Sequence, residues 1–195
     1  MDEMAHSKAE YLIQENTMEK KTPATTHPAS GHDPAKTLTG GSLAGKYLTF
    51  KLANEEYGIG ILQVREINGL MEITPVPRMS EWVRGVINLR GKVIPVLDLR
   101  LRFGFPQIQD TKQTCIIVVD VKCQDFTTLV GILVDTVSEV VNIADTEVDR
   151  AVNFGASVNN SFILGAAKVK GGVKILLDME KILSGEELMT FTRLS

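Results

Sequence analysis

The sequence predicts a mainly β protein: two small five-stranded barrels made by an internal duplication, with a few short helices. Two observations predict it. From Lys46 onward the chain is written in short apolar runs broken by glycine turns, the pattern of strands and hairpins. One such pattern then occurs twice, in the same order.

The strands follow in sequence. KYLTFKL partly alternates, with Tyr47, Leu48, Phe50 and Leu52 apolar. ANEE separates it from YGIGILQVREI, which predicts a hairpin. MEITPVP reads as a short extended segment that Pro75 and Pro77 confine to an edge or a strand end. RGVINLRGKVIPVLDL is two apolar runs joined at a tight Arg90-Gly91-Lys92 turn. Pro95 lies inside the second run and predicts an edge strand or a bulge. RLRFG reads as one helical turn ending on Gly104. After a polar loop, TCIIVVDV is a strand, and LVGILVDTVSEVVNI is a long strand or a strand with its continuation. FILGAAKVKGGVKILLDMEKILSG closes the domain, with MEKIL helical.

The repeat is the most informative feature. Gly85, Leu89, Arg90, Gly91, Val93, Leu97, Asp98, Leu99 and Phe103 meet Gly165, Val169, Lys170, Gly171, Val173, Leu177, Asp178, Met179 and Leu183 without a gap. At a second offset Gly58, Ile59, Ile61, Val64, Glu66 and Ile67 meet Gly131, Ile132, Val134, Val137, Glu139 and Val140. Any two amphipathic strands share apolar alternation, but alternation alone does not put glycine, acid and base at matched places. The halves are expected at about residues 46–104 and 113–184. A unit of about five short strands closes most simply into a barrel, which removes exposed edges. Two packed barrels would leave a groove between them. Whether each barrel uses only its own half, or strands are exchanged, stays open at this level.

Composition bounds the rest. The 195 residues are 44% hydrophobic and 23% charged, as in an ordinary soluble domain able to bury its own core. A net charge of −3 gives no electrostatic footprint for nucleic acid. Residues 1–45 hold all three histidines (His6, His27, His32) and three of the seven prolines. That Thr/Pro/Ala/Gly/Ser-rich stretch cannot bury enough apolar surface to offset ordering, so it reads as a disordered tail. Tyr11, Leu12 and Ile13 could form a weak short helix within it. Residues 46–186 form the folded domain, and 187–195 a short C-terminal tail. The N-terminus lacks a signal-peptide pattern, and no run approaches the ~18 apolar residues of a membrane span. A cytoplasmic protein without direct membrane insertion is expected. Cys115 and Cys123 lie in or beside an apolar run and read as buried, reduced thiols.

Candidate chemistry is sparse. No histidine follows Lys46, so the domain lacks the base of a Ser-His or Cys-His pair and the commonest metal ligand. No catalytic residue, metal or cofactor is expected. Asp98, Asp135 and Asp178 each end an apolar run; a carboxylate pair is conceivable, but capping of the next turn is the simpler role. YGIGIL is strand text, not a phosphate loop. Trp82 reads as core or a barrel lid. Arg90 stands out at its glycine turn near Asn88, and two roles are open to it: an idle exposed arginine, or a charged anchor able to make bidentate hydrogen bonds.

YGIGILQVREI, ITPVPRMSEWVRGVINLRG and KVIPVLDLRLRFG, followed in order by VGILVDTVSEVVNI and ILLDMEKIL, resemble the CheW family of chemotaxis coupling proteins. The resemblance covers about residues 46–186 and is most specific at NLRG and PVLDLR. It implies two SH3-like barrels around a shared core. It also implies a non-enzymatic adaptor that joins the cytoplasmic tip of transmembrane chemoreceptors to the regulatory domain of a CheA-type histidine kinase, recruited to receptor arrays at the inner membrane. By motif position it implies receptor-binding roles for Val64, Asn88, Arg90 and Gly91, and weaker kinase-facing roles for Glu66 and Ile67. A CheV-type protein would need a receiver domain, which residues 187–195 are too short to hold. The competing class is a small cytosolic β-barrel enzyme or a binding module unrelated to chemotaxis. Assays for ATPase, phosphatase and nucleic-acid binding separate these classes.

Overall fold

Residues 41–123, 126–150, 160–183 and 187 are described by the structure, a computed structural model. The first half of the chain supplies β1 (Gly45–Leu52), β2 (Glu55–Gly60), β3 (Val64–Gly69), β4 (Val83–Leu89), β5 (Lys92–Asp98) and the one-turn helix α1 (Leu99–Arg102). The second supplies β6 (Cys115–Cys123), β7 (Phe126–Val134), β8 (Thr136–Ile143), β9 (Val148–Asp149), β10 (Ile163–Val169), β11 (Gly172–Leu177) and α2 (Met179–Ile182). The mainly β expectation holds. The expected tail is described only from Gly41; residues 1–40 and 188–195 lie outside the described residues.

Strand pairing settles the open question of exchange. One sheet runs β8-β1-β2-β11-β10-β9 and the other β3-β6-β7-β5-β4. The first therefore takes the β1–β2 hairpin from one half and four strands from the other, and the second takes the β6–β7 hairpin from one half and three strands from the other. Replacing every strand of the first sheet by its repeat partner reproduces the second sheet in order, apart from the short β9. The match extends to single residues. The parallel contact aligns Val96 with Gly131 in one sheet and Leu176 with Gly58 in the other. Bulges fall at Val83/Gly85 and at Ile163/Gly165. The Asp98 amide donates to Trp82 O at 2.8 Å, and the Asp178 amide donates to Phe162 O at 2.8 Å.

Two short crossings make the exchange. YGIGILQVREI breaks at a 3-10 turn, Ile61–Gln63, so that β2 and β3 enter different sheets. LVGILVDTVSEVVNI breaks at Asp135 alone. There the Asp135 amide donates to Lys51 O at 3.1 Å, and its carboxylate accepts from the Ala53 amide at 2.7 Å and from Arg100 at 2.5 Å. The second crossing is thus tied to the β1–β2 turn and to α1.

Alternation then distributes the core. On β6, Ile117, Val119 and Val121 face a central cluster, while Ile116 and Val118 face a separate one. A strand buried on both faces reads as a continuous apolar run, which is what CIIVVDV is. The central cluster takes Phe50, Tyr57, Leu97, Leu99, Ile117, Val130, Met179 and Ile182 from both halves. Aromatic rings extend it: Phe103 stacks on Phe162 at 4.8 Å and tilts onto Tyr57 at 5.4 Å. Trp82 is half-buried at its margin, with the Arg102 guanidinium 4.3 Å above its ring.

Two expectations are corrected. Pro95 is not on an edge: β5 lies between β4 and β7. It is tolerated because Val86, its partner on β4, turns both its N–H and its C=O away, to Thr74 at 2.9 Å each. The parallel ladder with β7 begins only at Val96, so the missing N–H leaves no gap. Cys115 is partly exposed rather than buried, and its Sγ–H donates to Gln113 O at 3.0 Å. Cys115 and Cys123 open and close one nine-residue strand, roughly 26 Å apart at ordinary strand rise. A disulfide between them is impossible. The Cys123 side chain lies outside the described residues.

Candidate partner-binding site

The β4–β5 hairpin closes in two residues, Arg90 and Gly91, between the paired Leu89 and Lys92. Both turn residues have positive φ, 54° and 84°, the type I′ arrangement whose twist matches the flanking strands. Asn or Asp normally fills the first of these positions. Arginine there keeps its backbone in a region that side chains with a Cβ rarely occupy. The Asn88 side chain steadies the loop by accepting from the Gly91 amide at 2.9 Å. In the repeat partner, Lys170-Gly171, only the glycine has positive φ.

The Arg90 side chain is 80% exposed, and its Nη2 lies 3.2 Å from Glu66 Oε1 on β3. The turn thus brings Asn88, Arg90, Gly91 and Glu66 together at the surface. Val64 and Ile67 are different: both are buried in the central cluster. They pack β3 onto the central cluster rather than face the surface beside Arg90. Val93 is exposed on the same hairpin, as Val173 is on the repeat-related one. Both stood in the repeat alignment, but the sequence did not mark them as surface residues, because an apolar residue in a strand reads as core.

The strand-end carboxylates are occupied. Asp98 accepts from the Leu101 amide at 3.2 Å, caps α1 and pairs with Arg84 at 3.2 Å. Asp178 does the same for α2, accepting from the Glu180 amide at 3.1 Å and pairing with Lys181 at 2.9 Å. Desolvation of its buried part pushes the Cys115 thiol above its ordinary pKa, away from the reactive thiolate. Among the described residues no group of His, Cys, Asp and Glu is arranged to hold a metal ion, and no helix is long and apolar enough to cross a membrane.

What the site can do is offer a fixed arginine fork, an amide-bearing turn and an adjacent carboxylate to a protein surface. The chain as a whole is similar to known proteins. Residues 46–187 match the model of the CheW-like domain. The chain is 34% identical over 151 residues to the chemotaxis protein CheW of Klebsiella aerogenes, covering 77% of this chain and 89% of that one. It is 33% identical over 153 residues to the CheW of Rhizobium meliloti, covering 78% and 95%. The crystal structure of the scaffolding protein TtCheW from Thermoanaerobacter tengcongensis superposes with a TM-score of 0.66 at 33% identity, covering 74% of this chain and 97% of that one. With the family model matching residues 46–187, this chain belongs to the CheW-like domain family.

Proposed function

We propose that the protein is a chemotaxis scaffold that couples transmembrane chemoreceptors to a CheA-type histidine kinase, without catalysing a reaction itself. Family membership over residues 46–187 and relatives that are themselves chemotaxis proteins support the reading. The observation that carries the site assignment is Arg90, four-fifths exposed on a backbone conformation unfavourable for arginine. Residues held in such a conformation cluster at binding and active sites.

In this reading Asn88 and Gly91 set the turn, Arg90 anchors the helical tip of a receptor, and Glu66 orients Arg90. A receptor-facing role suits Glu66 better than a kinase-facing one, because the ion pair ties it to the turn. Buried Val64 and Ile67 act by holding β3 in place. The protein works in the cytoplasm, at receptor arrays beneath the inner membrane.

Co-sedimentation of the purified chain with receptor-bearing membranes, with and without the kinase, tests the proposal. Kinase brought to the membranes only when this protein is present supports coupling. Kinase recruitment that is unchanged by its omission removes it.

A further inference from the structure

The exchanged fold poses a selection problem. Every strand but the short β9 has a repeat partner elsewhere in the chain, so two assignments of partners are available. In the structure β2 lies beside β11 and β7 beside β5. In the alternative each half would close on itself, with β2 beside β5 and β7 beside β11. The backbone does not choose between them. Gly58 receives Leu176 and Gly131 receives Val96 in the same way, with a Cβ at either glycine meeting the side chain at 3.1 and 3.2 Å.

A chemical difference between the two contacts does choose. Two residues before these matched positions stand Lys174 on β11 and Glu56 on β2, and they form an ion pair. Lys174 is 2% exposed. The corresponding residues of the other sheet are Ile94 and Leu129, which belong to one apolar cluster. Closing each half on itself would set Glu56 against Ile94 and Lys174 against Leu129. Each would leave a charge without its partner beside apolar groups, the costliest way to bury one.

The outer strands repeat the theme. Arg65 on β3 pairs with Asp120 on β6. Val64 lies opposite Val119, as its repeat partner Val137 lies opposite Phe50. The same alignment makes Lys51 the counterpart of Asp120 and Ser138 that of Arg65. In the alternative, Arg65 would face Lys51, a like charge.

We propose that the Glu56–Lys174 pair, aided by Arg65–Asp120, is a strand-selection code that makes the two halves exchange strands rather than close on themselves. Local stability does not account for the pair. Replacing a buried ion pair by well-packed apolar groups is commonly neutral or stabilising, and the other sheet shows the apolar solution already built at the same place. Burial, with Lys51 close by, pulls the Lys174 ammonium below its ordinary pKa, so its charge is held there against a cost. Ser138, which donates to Glu56 at 3.2 Å, satisfies part of the carboxylate.

The test removes the code and asks which strands pair. Isotope-labelled full-length chains are unfolded in denaturant, refolded and examined by NMR for contacts of Gly58 and Gly131. Wild type should show one set of signals, with Gly58 against Leu176 and Gly131 against Val96. The double variant Glu56→Leu/Lys174→Ile copies the other sheet and should still fold. It should show a second set, with Gly58 against Val96, at least about tenfold more populated than in wild type. Glu56→Gln/Lys174→Met keeps side-chain length without charge and should give the same mixture. A single set with the Gly58–Leu176 contact in both variants overturns the proposal. So does an apolar variant that fails to fold while the Gln/Met variant refolds to one set, because the pair then holds the structure without choosing it.

Discussion

Arg90 Nη2 lies 3.2 Å from Glu66 Oε1; Glu66 is on β3, at one edge of a sheet, and Arg90 is in the turn of the β4–β5 hairpin at the other. The strand order β3-β6-β7-β5-β4 puts β3 and the β4 hairpin on the two edges, and this pair brings those edges together. Arginine on a two-residue turn would otherwise sweep a wide volume; the carboxylate restricts it. Exposed pairs of this kind contribute about 0–1 kcal/mol to stability. Glu66→Ala should therefore leave the denaturation midpoint nearly unchanged. It should weaken receptor-fragment binding measurably, in titration calorimetry at low salt.

The backbone at Arg90 makes a separable prediction. Its φ of 54° suits Asn, the favoured first residue of this turn. Relief of the left-handed conformation should make Arg90→Asn more stable by about 0.5–1 kcal/mol, read from urea unfolding. The same variant should bind the receptor fragment poorly. A more stable but uncoupled protein would place the strain in the service of binding.

At the second crossing, Asp135 holds Ala53 and Arg100 through one carboxylate. Arg100 is 8% exposed, so losing its partner strands a largely buried charge. Asp135→Ala should cost about 3 kcal/mol, seen as a lowered urea midpoint. Asp135→Asn should fall between, since its amide oxygen can still accept from Ala53. Loss of less than half a kilocalorie per mole in the alanine variant would show that the crossing is held by other means.

Gly85 and Gly165 begin the matched hairpins, and each lies against a neighbouring backbone. A Cβ on Gly85 would stand 2.2 Å from Thr74 O, with φ at +142°; one on Gly165 would stand 2.8 Å from Asp149 O. Alanine at either should destabilise by about 2 kcal/mol or more. Gly85→Ala should be the worse of the two in thermal melts, because it adds unfavourable backbone to the clash. Equal losses would mean that the Thr74 segment moves aside.

Much of this was legible before the structure. Gly85 with Gly165 and Asp98 with Asp178 marked the duplication, because a bulge against backbone needs glycine and a helical turn after a strand needs a cap. Arg90 with Asn88 was legible because NLRG is specific and a two-residue turn displays its side chains. The exchange was not. Pairing partners are chosen by contacts far apart in the chain, and YGIGILQVREI carries no proline and only a single polar residue, Gln63, in the turn where it crosses from one sheet to the other. The burial of Val64 and Ile67 was not legible for the same reason: a motif fixes position, and burial depends on which strand lies opposite. Pro95 misled because the orientation of Val86 depends on Thr74, which local sequence does not reveal.

The central claim is that Arg90 couples this scaffold to a receptor, and binding by the Arg90→Ala variant tests it most directly. Affinities for a receptor signalling fragment and for the kinase regulatory domain would be measured on wild type, Arg90→Ala and Lys170→Ala, each with a thermal melt. Arg90→Ala should fold normally, keep its affinity for the kinase and lose roughly tenfold to hundredfold in receptor affinity. Lys170→Ala should be milder, since lysine lacks the bidentate fork. Receptor binding by Arg90→Ala as tight as wild type would contradict the account.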